Sequence, residues 1–154
     1  MVAPQTRDEA PFGWSAGCGM PAYATLARVR FDRLFTDLDA IAEAYEKGRP
    51  LAEKLFGPEI GYGGPGWAGI SYGHINALGC PLIFPEDSEV AHKAIYSSLP
   101  EGIAALKREV DFTTQGMFPF YLDLRARLQK RFPGEKFSMS GMKAEGPVTT
   151  AWAL

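Results

Sequence analysis

The chain is short of cysteine, of excess charge and of long apolar runs, and each shortage removes a class of function. Two cysteines, Cys18 and Cys80, do not make the framework of a small disulfide-stabilised domain. A reduced, cytoplasmic protein is the expectation. The formal net charge is −2, with 22% charged residues, so there is no electrostatic footprint for nucleic acid or an anionic membrane. No run of 18 or more apolar residues occurs, so no bilayer-spanning helix is expected. Met1 to Ala10 carries charges and no apolar core segment, which argues against a secretory signal.

What is present fits one globular domain with a real core: 154 residues, 46% of them hydrophobic. Residues 1–21 are rich in Gly, Pro and Ala and predict an irregular arm. Residues 22–56 read as helical. Thr36 is the expected N-cap, with Asp39 three residues on. Leu38, Ile41, Ala42 and Tyr45 share one helix face, and Gly48 and Pro50 are expected to stop the helix. A short second helix spans Leu51 to Phe56. The glycine-punctuated stretch Gly61 to Gly66 is a loop. Trp67 to Tyr72 is expected as a buried strand, Gly73 to Gly79 as a turn or single helical turn, and Pro81 to Pro85 as extended.

Ser98 and Glu101 have capping-box spacing, with Pro100 in the first turn of the helix that carries Ile103 and Leu106. A longer helix begins near Phe118, with Met117, Tyr121, Leu124, Leu128 and Phe132 as its buried stripe. Pro133-Gly134 ends it. Lys136 to Ser140 reads as a strand, Gly141 to Gly146 as a loop, and Pro147 opens a further helix. Strands alternating with helices predict an α/β protein with parallel strands.

Three stretches, in order, resemble the uroporphyrinogen decarboxylase superfamily. Ser140-Gly141-Met142-Lys143-Ala144-Glu145-Gly146-Pro147-Val148-Thr149-Thr150-Ala151 is similar to its strand-to-helix segment, in which a small residue, Pro, an apolar residue and Thr or Ser open a helix. Ile70 to Gly79, ending Asn76-Ala77-Leu78-Gly79, resembles the first barrel strand and its turn. Phe84-Pro85-Glu86-Asp87 looks like the connection that follows. The resemblance implies a (β/α)8 TIM barrel. Such barrels take about 250 residues, so residues 22–154 would be an N-terminal portion with N-terminal helices and about two βα units. Unpaired edges and an uncovered apolar face would then need a missing C-terminal barrel half or self-association as partner.

The superfamily holds two chemistries, porphyrinogen decarboxylation without a cofactor and methyl transfer from a corrinoid (methylcobamide) to a zinc-activated acceptor. The decarboxylases carry an N-terminal Arg segment resembling M-R-Q-A-G-R, which this chain lacks. Arg28, Arg30 and Arg33 are expected on a helix facing solvent. Cys18, His74 and Cys80 do not reproduce the methyltransferase zinc spacing, so no zinc ligands are found in this chain. The missing Arg segment tilts the expectation toward methyl transfer. The alternatives are a porphyrinogen carboxy-lyase, a non-catalytic tetrapyrrole-binding module, or an inactive self-associating fragment.

In a barrel the working residues follow the strands. That selects His74 and Glu145 as catalytic candidates, with Tyr72, Asn76, Ser140 and Lys143 around a small tetrapyrrole-type ligand. Each has a plainer account. His74 can bond nearby backbone, Tyr72 can pack, Asn76 can form a turn, and Lys143 and Glu145 can be an exposed pair worth little. His92 is expected at the surface and Cys80 as a small buried hydrophobe.

Overall fold

The computed structural model describes residues 15–107, 109–137, 146, 150 and 151. Among the described residues the first element is a two-residue strand, β1 (Gly17–Cys18), followed after Gly19 by helix α1 (Met20–Ala27). The end of the expected arm is therefore built into the fold, with Met20 in the core. A 3-10 turn (Asp32–Phe35) leads to α2 (Leu38–Glu43), a π turn (Ala44–Gly48) and α3 (Arg49–Phe56).

The cap of α2 is Asp37 rather than Thr36, which instead ends the 3-10 turn. The Asp37 carboxylate accepts from the amides of Asp39 and Ala40 at 2.9 and 3.1 Å. A charged acceptor meets both the unpaired amides and the positive end of the helix dipole. Burial pushes the Asp37 carboxyl up, but bonds from Arg33, Ala40 and Asp39 hold it below the ordinary range.

Gly48 and Pro50 do not stop the helix. The chain widens into the π turn just ahead of Pro50, which has no N–H to donate and whose ring crowds the carbonyl one turn back. This wide turn packs on α1. A Cβ at Gly48 would lie 2.1 Å from the Tyr23 carbonyl oxygen and 2.6 Å from its Cα. Only glycine lets the two backbones approach this closely.

After α3, strand β2 (Gly61–Tyr62) pairs in parallel with β1, Gly17 opposite Gly61. The expected strand Trp67 to Tyr72 is not one. Only Ile70 has bridge character, and the Ala68 amide donates to the Leu34 carbonyl at 3.0 Å, so it bonds a helical turn instead of a neighbouring strand. Helix α4 (Gly73–Ala77) follows, as expected of that turn. The extended stretch at Pro81 to Pro85 holds β3 (Leu82–Ile83), but it pairs antiparallel with β4 (Ala91–His92) as a hairpin. The structure is thus mixed α and β, mainly helical. Its strands are two residues long, and among the described residues no pair of parallel βα units forms a barrel sheet. Lys136 and Phe137 are not in a strand, and residues 138–140 lie outside the described residues.

Helix α5 (Leu99–Leu106) starts where expected, but Ser98 makes no side-chain cap. Glu101 reaches one residue further back and accepts from both the amide and the hydroxyl of Ser97, each at 2.9 Å. Helix α6 (Phe118–Arg131) buries Tyr121, Leu124 and Leu128, with Met117 and Phe132 packed partly beside them. These join Tyr23, Leu34, Phe35, Ile41, Trp67 and Ile70 in one core. Each such side chain contributes about 1.5–3 kcal/mol, so the α6 stripe outweighs any surface ion pair in holding that helix.

The three arginines are not on one helix. Arg28 lies past the end of α1 with φ 57°, Arg30 pairs with Asp32 and Glu86, and Arg33 pairs with Asp37. Among the described residues, no helix is long and apolar enough to cross a membrane. Replacing Gly48 by Ala is expected to cost at least about 2 kcal/mol, since a backbone atom has to move. Gly66→Ala, where a Cβ meets nothing within 4 Å, should cost far less. Urea denaturation of the two variants checks this, and equal midpoints would refute the close-approach account.

Candidate functional site

The site is built around α4, a helix of little more than one turn that follows Tyr72 directly. The Asn76 amide donates to the Tyr72 carbonyl at 3.0 Å and the Cys80 amide to the Ile75 carbonyl at 3.0 Å, closing the turn at both ends. Ile75 and Cys80 are buried beneath it, with Tyr72, Leu78 and Tyr96 packed around them.

Three candidates, Tyr72, His74 and Asn76, come from this one turn. Ser140, Lys143 and Glu145 lie outside the described residues. His74 is half-buried, and its Nε2 is 2.7 Å from Oγ1 of Thr150, a residue 76 positions away. Its other ring nitrogen, Nδ1, is buried and has no hydrogen-bond partner among the described residues.

Tyr72 packs its ring on His92 with centroids 4.4 Å apart. His92, expected at the surface, is therefore only partly exposed. Pairing of β3 with β4 turns its half-buried ring onto Tyr72, and its Nδ1 is also buried without a partner among the described residues. No local sequence signal marks His92, because the hairpin alone brings it to this turn.

Asn76 is committed to the fold. Its Nδ2 donates to the Cys80 carbonyl at 2.9 Å, and its Oδ1 accepts from the Met117 amide at 2.7 Å. The second bond ties α4 to the start of α6. Gly116, just before it, has φ 57°, and a Cβ there would lie 2.4 Å from Asn76 Oδ1. Both the left-handed backbone and the close side chain require glycine.

Cys80 is a buried hydrophobe, as expected, and burial pushes its thiol up against a weaker hydrogen bond from Ile95 backbone. A thiol held protonated is a poor nucleophile and metal ligand. Among the described residues no three His, Cys, Asp or Glu side chains group as a metal set. What the turn offers chemically is the His74 imidazole, bonded to a hydroxyl, and the Tyr72 phenol, whose ring packs on His92. It suits proton exchange or hydrogen bonding with a small ligand.

No family model, no curated protein and no solved structure matches the chain.

Asn76→Ala removes both bonds and strands two backbone groups. The expected loss is about 2–4 kcal/mol. Asn76→Asp keeps an acceptor for Met117 and should lose less. Thermal unfolding ranks the two, and a wild-type midpoint for Asn76→Ala would show that the side chain is not a staple.

Proposed function

We propose that this chain is an N-terminal portion of a (β/α)8 enzyme of the uroporphyrinogen decarboxylase type, acting on a tetrapyrrole or corrinoid-linked substrate. The observation that carries the reading is the 2.7 Å bond between His74 and Thr150. The two residues belong to separate stretches that bear the resemblance, Ile70 to Gly79 and Ser140 to Ala151. His74 is the proton-exchanging residue, through Nδ1, with Tyr72 and His92 as the wall beside it.

Within that family the arginines favour methyl transfer over carboxy-lyase chemistry. Arg30 and Arg33 are engaged with Asp32, Glu86 and Asp37, the closest pairs at 2.6 to 2.8 Å, so neither is a free clamp for substrate carboxylates. A corrinoid, when bound, supplies the methyl-carrying chemistry. The described residues do not fit a zinc ion, given the protonated, buried Cys80 thiol and the lack of a third ligand, and no step is assigned to one. Titration with methylcobalamin, followed by its visible absorption, is expected to give a saturable shift. His74→Ala should weaken it at least about tenfold, or about 1.4 kcal/mol. No shift at any concentration would end this reading.

A second reading, self-association of an inactive piece, draws on α5. Leu99, Ile103 and Leu106 lie on one face and are 70%, 51% and 46% exposed. With Tyr96 and Ala151 they line a groove of about 330 Å³. An apolar stripe of this kind marks a contact surface. Under this reading the wild type sediments as an oligomer and Ile103→Glu as a monomer. A monomeric wild type at tens of micromolar would exclude it.

A further inference from the structure

We draw no further inference here: the strongest candidate, the apolar groove beside α5 that Tyr96, Leu99, Ile103, Leu106 and Ala151 line, carries none beyond the self-association reading already given, because nothing in the structure shows what covers it.

Discussion

The contact between the Tyr23 backbone and Gly48 is the constraint on which the helical half of this protein depends. With no side chain at Gly48, α1 lies directly against the π turn, closer than any Cβ permits. That approach buries Tyr23 completely and sets its ring edge-on to Tyr45, with centroids 6.3 Å apart. The Tyr23 hydroxyl then reaches the carbonyls of Cys18 and Gly63 at 3.0 and 3.1 Å. One residue thus pins β1 and the glycine-rich loop to the helices. The parallel pair β1–β2 is too short to stand alone, and these two bonds explain why it persists.

From the π turn the same logic runs outward to α6. Tyr45 donates to Glu135 at 2.8 Å, Arg49 bonds the Tyr45 hydroxyl, and Arg131 bonds Glu46 at 3.0 Å. These groups are partly exposed, and exposed pairs contribute little singly. They fix the register of a helix whose stability comes from Tyr121, Leu124 and Leu128. Tyr121 packs on Trp67, centroids 5.3 Å apart, and burial raises its phenol above the ordinary range. Asn76 then carries the order of α6 into the short α4 turn. The candidate site therefore sits on a helix too short to be stable by itself, held to the start of α6 by the Asn76–Met117 bond.

Much of this was legible in the chain. The α6 stripe repeats apolar residues at helical spacing, and Pro133-Gly134 ends it. The α4 turn follows from Gly73 and Gly79 around a short apolar core. Other features were not. The π turn needs α1 beside it before its glycine makes sense. Trp67 to Tyr72 has the composition of a buried strand, but the Ala68 amide bonds Leu34 and only Ile70 has bridge character. His92 has no periodic signal, since its position depends on a hairpin of two-residue strands. The α5 face looks like a core stripe by spacing, yet Leu99 and Ile103 face outward, because periodicity records amphipathicity and not the identity of the covering surface.

The sequence by itself determined most of the helical segments, the Pro133-Gly134 stop after α6, and that His74 sits in a turn between apolar segments. Those properties are local, written in residue spacing and backbone permissiveness. Only the tertiary structure decided that His74 meets Thr150, that Tyr72 meets His92 and that Asn76 is spent on Met117. Such pairings join residues tens of positions apart, and they are chosen by which surfaces bury together, a quantity no short window of sequence contains.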